Sequence, residues 1–240
     1  MMVVNVDLVR TDGCDIQADW NNLIGSYIGW HEPVPMVSAI LPVEGNFDSY
    51  LRKCRNRYKG NVIRDARKAD KEGFICEEFD WPLYIPDVVE INHSKAVRSG
   101  GQMRPAYKRS IEEMGGSPKE YTVPSPPKCW KHWGTSWGIF RPDPFYKQGA
   151  VRVDKKLLGY INLLRLGDIV LYSQFLGHGS YLRFGIMYHL HFHIMAMIFY
   201  QVLHYSGIKY VMYAGWNDGN EGLKLWKKKT CFEPVQLVTQ

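Results

Sequence analysis

The stretch Asn220–Pro234, NEGLKLWKKKTCFEP, decides the fold, because its spacing can be read together with the segments just before it. Residues Ile208–Ala214 are rich in β-branched and aromatic side chains and predict a strand. Residues Ile186–Tyr205 predict a long apolar helix, which Gly207 closes. The stretch therefore follows a helix and a strand in direct succession.

The segments farther upstream predict a hairpin. The apolar runs Lys156–Leu166 and Ile169–Leu176 are joined by the dipeptide Gly167-Asp168, which is typical of a tight turn. Thr135–Arg141 and Ala150–Val153 predict two earlier strands. The predicted order is thus two strands, a hairpin, a helix, a strand and then the opening stretch.

With this order and spacing the chain resembles the GNAT-type acyltransferases. In that superfamily a strand that splays open for the acyl donor precedes a loop asparagine, a short amphipathic helix, an aromatic residue and a Gly-Phe pair that begins the next strand. The matching positions here are Asn220, Leu223, Trp226 and Phe232. Cys231 replaces the family's glycine, and Lys227 replaces the tyrosine that protonates the leaving thiolate in many members. The resemblance implies an α/β fold with a GNAT-like mixed, mostly antiparallel sheet flanked by helices.

A proline-rich linker, Gly115–His132, divides the chain. We expect an N-terminal basic α/β lobe over residues 1–134 and a GNAT-like acyltransferase core over residues 135–240. The resemblance also allows the first lobe to be a degenerate second GNAT-like half. Three tryptophans at the linker could stack on bases, but we expect them in the core or between the lobes: Trp130, Trp133 and Trp137.

The segment Tyr50–Lys71 is strongly basic and predicts two amphipathic helices separated by Gly60. Its cations outnumber the two opposing aspartates, and they are Arg52, Lys53, Arg55, Arg57, Lys59, Arg64, Arg67, Lys68 and Lys71. This pattern fits two solvated helix faces, or a phosphate-binding surface that includes Arg64 and Arg67. The helix pair and its Lys-Ala-x-Lys-x-Gly ending also resemble the FemAB-like branch of the GNAT group. Members of that branch pass aminoacyl groups from tRNA, or acyl groups, to amines.

The polar loop Ser94–Ser110 is a second candidate phosphate site. Adjacent glycines, Gly100 and Gly101, would let the backbone approach a ligand, and arginines lie close to a predicted helix that runs to Met114. The loop is no P-loop, because no GKS or GKT follows the glycines. A plain surface loop is the alternative. The candidate substrate or phosphate ligands here are Ser94, Lys95, Arg98 and Arg104.

The GNAT resemblance places a donor pyrophosphate on backbone N–H groups where the fourth strand turns into the central helix. The donor-binding residues implied on this chain are Gly177, Gly179, Ser180, Arg183, Gly185, Asn217 and Asn220. Leu182 and Met187 depart from the family pattern, and a side chain at Met187 would crowd the backbone that meets the pyrophosphate. The donors considered are therefore acyl-CoA and aminoacyl-tRNA, and we expect no tightly bound cofactor.

Two residues are candidates for catalysis. A neutral histidine is a suitable base for an acceptor amine, and His178 lies where the resemblance puts the cleft. Tyr213 is the candidate proton donor. The alternatives are a loop-capping histidine and an ordinary strand aromatic. On a helix only His189 and His193 of the HLHFHIM segment share a face, so we expect buried, hydrogen-bonded histidines and no metal site.

Composition sets the remaining limits. The chain has 240 residues, a net charge of +6 and five scattered cysteines without a CxxC pair, which indicates free thiols in a reducing compartment. No signal peptide or membrane span is evident, so we expect a cytoplasmic protein. The predicted partners are tRNA or DNA at the basic helices, together with a small acyl donor.

We therefore expect an N-acyltransferase that moves an acyl or aminoacyl group from a phosphorylated donor to an amine. One alternative is a GNAT-like enzyme that modifies a nucleobase in DNA or RNA. The other is a non-catalytic nucleic-acid-binding module on an acyltransferase fold.

Overall fold

The structure is a computed structural model that describes residues 2–6, 19, 21, 37–98 and 101–239. Its α-helices in these ranges are α1 (Phe47–Asn56), α2 (Asn61–Lys71), α3 (Ile85–His93), α4 (Ile186–Phe199) and α5 (Glu221–Lys229). Its strands there are β1 (Met2–Val6), β2 (Val37–Pro42), β3 (Ile75–Phe79), β4 (Val97–Arg98), β5 (Gly101–Gln102), β6 (His132–Pro142), β7 (Lys147–Gln148), β8 (Val151–Arg152), β9 (Lys155–Leu166), β10 (Ile169–Gly177), β11 (Tyr210–Gly215) and β12 (Glu233–Thr239).

One eight-stranded sheet, in the order β1-β12-β2-β11-β10-β9-β6-β3, forms the centre of the molecule. The pairs β1–β12 and β10–β11 are parallel, and the other neighbours are antiparallel. The predicted fold class, a mixed and mostly antiparallel sheet flanked by helices, is confirmed. The predicted boundary after residue 134 falls inside β6, and the sheet takes strands from both sides of it. The division into two lobes stays a prediction.

Helices cover both faces of the sheet. Val62 and Ala66 of α2 and Leu190 of α4 share one buried cluster with Ile161 of β9. Val88 of α3 belongs to a second cluster. The second cluster also holds Phe140, Leu157 and Tyr160 from the sheet. Strand β9 is thus buried on both sides, as its nearly continuous apolar sequence predicts.

The local predictions held where the pattern was strong. The hairpin β9–β10 turns at Gly167, which has the positive φ of 66° that such a turn favours. The two basic helices α1 and α2 are separated near Gly60. Of the three tryptophans, Trp133 and Trp137 are buried in the core, whereas Trp130 is 63% exposed.

Three local predictions were wrong. The helix predicted to reach Tyr205 ends at Phe199, because Gln201 and Leu203 adopt positive φ. The strand predicted at residues 150–153 is the two-residue β8, which pairs with β7 outside the main sheet. The helix predicted to reach Met114 consists of two short 3-10 turns.

Two residues that bear on the sequence predictions lie outside the described residues: Cys14, one of the five scattered cysteines, and Gly100 of the adjacent glycine pair. Strand β1 lies at one edge of the sheet.

Candidate active site

The parallel strands β10 and β11 separate soon after they meet. Their register contains three residue pairs and ends at Leu171 and Met212. Beyond that point β10 shifts register against β9, and β11 returns to β2 at Gly215 after Ala214 takes a positive φ of 54°. The splayed pair that the GNAT resemblance implies is therefore present.

Aromatic side chains fill the gap between these two strands. The ring centroids of Phe175 on β10 and Tyr213 on β11 are 5.0 Å apart. Trp226 of α5 lies 4.8 Å from the first ring and 5.5 Å from the second, and it is only 8% exposed. These three rings pack together where the GNAT resemblance would place an acyl-donor chain.

The N-terminus of α4, where a pyrophosphate would bind, is covered by α2. Gly185 precedes α4 with a φ of 70°, and a Cβ atom added there would overlap the carbonyl oxygen of Asp65. Contact this close leaves no room for a phosphate at the same position. This packing leaves little room for a pyrophosphate at Gly185, whose assignment as a donor-binding residue stays a prediction. Together with the filled gap, these residues do not fit coenzyme A.

A second group of predicted residues does come together, around Arg98. Its Nη1 donates to the Gly177 carbonyl at 2.8 Å, and its Nη2 donates to the Ile91 carbonyl at 2.7 Å and to Ser94 Oγ at 2.8 Å. Ser94 Oγ also accepts the Gly179 backbone N–H at 2.9 Å. The predicted phosphate loop and the predicted donor loop thus form one hydrogen-bonded unit.

Gly179 is required in this unit because the two loops approach closely. A Cβ atom there would lie 2.9 Å from Lys95 Cγ and 3.0 Å from the Ser94 carbonyl oxygen. A side chain at this position would force Lys95 or the Ser94 backbone to shift. Lys95 and Gly179 are therefore neighbours, although 84 positions separate them in the sequence.

His178 lies in the same unit and has a carboxylate partner that the sequence did not reveal. Its Nε2 is 3.2 Å from Glu90 Oε1, and its Nδ1 accepts the Ser180 backbone N–H at 3.2 Å. Lys156 Nζ shares Glu90 Oε1 at 2.7 Å. Burial lowers the pKa of His178, against the opposing effect of Glu90. The His178 ring is therefore neutral, with its Nε2–H directed at Glu90. Both ring nitrogens thus have a hydrogen-bond partner.

Tyr213 has a cationic neighbour in Lys227, the residue that replaces the family's tyrosine. Lys227 is fully buried, and its Nζ donates to the carbonyls of Gly215 at 2.5 Å and Asp218 at 3.2 Å. The same Nζ lies 5.5 Å from the Tyr213 ring centroid. Burial lowers the pKa of Lys227 to about 8. The hydrogen bonds of Lys227 therefore stabilise the turn between β11 and α5, and they place a titratable amine beside the splayed strands.

The remaining predicted site residues lie apart from the Arg98 unit or have local contacts. Asn220 caps α5 by accepting the Leu223 N–H at 3.2 Å, and Asn217 is exposed in the turn before it. Arg183 lies over the Phe184 ring. The three predicted phosphate arginines outside the Arg98 unit are exposed: Arg64, Arg67 and Arg104.

A buried chain of hydrogen bonds links α1, α4 and β10. His191 Nε2 is 2.8 Å from Tyr50 Oη, and His191 Nδ1 is 3.0 Å from Tyr172 Oη. Tyr50 Oη also donates to the Thr230 carbonyl at 3.1 Å. Burial lowers the pKa of His191 to about 3. His191 is thus the buried, hydrogen-bonded histidine that the sequence predicts.

The low pKa of His191 should make folding sensitive to acid. Below pH 6.5 the unfolded chain gains a proton at this residue and the folded chain does not, so stability falls as the pH drops towards 3. At pH 5 the loss should be about 2 kcal/mol. His191→Gln keeps a donor and an acceptor and should remove that part of the slope. Urea unfolding at pH 7 and pH 5 measures it.

The exposed His93 at the end of α3 supplies the matched control for this measurement. His93→Gln should retain the wild-type pH dependence. Equal slopes for the wild type and His191→Gln would contradict the assignment.

Comparison with known proteins agrees with the geometry. No family model matches the sequence, and no curated protein matches it significantly. Among solved structures, "Crystal structure of FemX" aligns with a TM-score of 0.55 at 13% sequence identity, over 95% of this chain and 68% of that one. The chain has a FemX-like fold. Because the sequence identity is so low, the likeness to FemX concerns the architecture alone. Within the described ranges, no helix is long and apolar enough to cross a membrane.

Proposed function

We propose that the protein is an aminoacyltransferase-type enzyme that moves an acyl group from an RNA-borne donor, such as aminoacyl-tRNA, to an amine. The observation that carries this proposal is the closed coenzyme A position in a FemX-like fold. Phe175, Tyr213 and Trp226 fill the gap between the splayed strands, and α2 covers Gly185. A donor that cannot enter there must be held elsewhere.

A basic surface near α5 supports an RNA donor. We call it the Tyr58 surface, and its members are Arg55, Tyr58, Lys59, Lys228 and Lys229. Lys229 Nζ lies 5.9 Å from the Tyr58 ring centroid, and Arg57 Nη1 donates to the Lys228 carbonyl at 3.2 Å. These contacts join the end of α1 to the last turn of α5. Tyr58 is 46% exposed. Cations around an exposed aromatic ring suit a phosphate backbone with an unstacked base.

The proposed transfer follows ordinary acyl chemistry. The amine nitrogen attacks the carbonyl carbon of the donor ester, the C–O bond breaks, and a ribose hydroxyl leaves. His178 would take the amine proton at Nδ1 in place of the Ser180 N–H, while Glu90 holds Nε2–H. His178 would then give that proton to the leaving ribose oxygen.

The test combines transfer with binding. The protein is incubated with tRNA charged with a labelled amino acid and a panel of amines, and acid-stable product is counted. The double variant Lys228→Glu with Lys229→Glu should weaken tRNA binding at least about tenfold. The slope of the logarithm of the binding constant against the logarithm of the salt concentration should fall by the amount that about one to two phosphate contacts contribute. Lys119→Glu with Lys147→Glu, the same charge change at exposed positions elsewhere, should leave both unchanged.

Turnover of acetyl-CoA in place of charged tRNA would overturn the donor assignment. A second candidate function, a non-catalytic RNA-binding module, is favoured by the full engagement of both His178 nitrogens. It predicts salt-dependent tRNA binding without transfer to any amine, and His178→Ala would then leave function intact.

A further inference from the structure

Two buried cysteines from distant parts of the chain meet at the start of β12. Cys54 of α1 and Cys231, in the turn after α5, place their Sγ atoms 3.5 Å apart across 177 residues of sequence. Cys54 is fully buried and Cys231 is 4% exposed. The two sulfur atoms are in contact, and a disulfide between them would require an approach of roughly 1.5 Å.

A cavity of about 130 Å³ gives access to one of the two thiols. Cys231 lines this cavity together with Tyr50, Lys53, Arg57 and Glu233. Lys53 is exposed, so the cavity opens to solvent on that side. Cys54 is not part of the lining and lies behind Cys231. A small molecule that enters the cavity therefore meets Cys231 first.

The surroundings distinguish the two sulfur atoms. The hydrogen bond with Cys54 lowers the pKa of Cys231, and Arg57 and Lys53 lower it further, against burial and Glu233. The same hydrogen bond and burial raise the pKa of Cys54. Arg57 is held in place by Glu233 Oε1 at 3.1 Å. Cys231 is the thiol that a molecule in the cavity can reach, and it lines that cavity together with the cations Lys53 and Arg57, so we assign it as the nucleophilic sulfur.

We propose that Cys231 and Cys54 form a site of reversible thiol oxidation, in which a small hydroperoxide enters the cavity and reacts with Cys231. The thiolate sulfur attacks the peroxide oxygen, an S–O bond forms and the O–O bond breaks, and the leaving oxygen takes a proton to become water or an alcohol. Cys54 sulfur then attacks Cys231 sulfur. An S–S bond forms, the S–O bond breaks, and hydroxide leaves with the Cys54 proton as water. The peroxide gains the two electrons that the thiols lose, and an external thiol reverses the oxidation by exchange.

Neither cysteine has a role in the proposed transfer reaction, although Arg57 lies both beside the cavity and in the contacts that support the Tyr58 surface. Its product would be a covalent link between α1 and the start of β12. Cys231 also carries a positive φ of 66°, a conformation that glycine adopts readily. Cys231→Gly should therefore keep the backbone while it removes the reactive sulfur.

The experiment treats the reduced full-length protein with hydrogen peroxide and follows each cysteine by mass spectrometry after alkylation. We expect a peptide pair linked through Cys54 and Cys231, formed at least about tenfold faster than oxidation of Cys76 or Cys129. Burial raises the pKa of Cys76, which makes it the matched slow thiol. In Cys54→Ser, a dimedone adduct should accumulate at Cys231, and dithiothreitol should restore both thiols in the wild type.

Two results would overturn the proposal. One is oxidation of Cys76 or Cys129 ahead of Cys231 in the native protein. The other is the absence of the Cys54–Cys231 link while Cys231 is oxidised. Cys76→Ser is the control variant, and it should form the link at the wild-type rate. Both of these results are read from the wild-type protein, so the test does not depend on whether a variant folds.

Discussion

Replacing Gly185 with alanine should lower the free energy of unfolding by about 3 to 4 kcal/mol, since a positive φ and a collision act together. The φ of 70° alone costs a side-chain-bearing residue about 1 kcal/mol or slightly more. The added methyl group would also overlap the Asp65 carbonyl, so α2 would have to move away from α4. Equilibrium unfolding in urea measures the change.

Gly73 provides the matched control for this substitution. Its φ is 72°, and no atom of the described residues would lie within 4 Å of an added Cβ. Gly73→Ala should therefore cost only the backbone part, about 1 kcal/mol. If the two alanine variants lost equal stability, the close packing of α2 on α4 would be refuted.

Replacing Arg98 with methionine should have the second large effect. Three hydrogen bonds from its guanidinium would be lost, and the partly buried acceptors on Gly177 and Ile91 would be left without that donor. We expect a loss of about 3 kcal/mol in stability, because bonds to charged groups contribute more than neutral ones. At temperatures where the variant stays folded, the displaced loops should also slow the proposed transfer at least about tenfold.

Arg104 is the control for Arg98, because the sequence assigns both to the same phosphate-binding loop. Arg104 is exposed, and its guanidinium lies 5.7 Å from the Tyr107 ring centroid. Arg104→Met should change stability by no more than about 0.5 kcal/mol. Similar losses for the two variants would mean that Arg98 does not hold the loops together. Urea unfolding and the charged-tRNA assay give the two readouts.

The strongest local patterns predicted most of the sheet. The hairpin and the two basic helices follow from spacing and turn chemistry, and each depends on residues close in sequence. The weak points were also local: the end of α4 depends on positive φ at Gln201 and Leu203, residues that rarely take that conformation.

The candidate site was harder to predict because its contacts join distant segments. Glu90 reaches His178 only because α3 lies against the sheet beside the end of β10. Nothing in the pattern around either residue indicates the other. The same holds for Tyr50 and His191, which are 141 positions apart. Sequence did place Ser94, Arg98 and Gly179 on candidate loops, but it assigned them to two different ligands rather than to one another.

The strand order has a consequence for how the chain is made. β12 lies between β1 and β2, so the last strand of the sequence is the one that joins the first strand to the rest of the sheet. During synthesis, the backbone groups of β1 and of one edge of β2 stay unpaired until residues 233–239 have left the ribosome. The hairpin β9–β10 and its neighbours can assemble much earlier. Ribosome-bound chains would therefore carry an open sheet edge, which a chaperone could recognise or a second nascent chain could pair with.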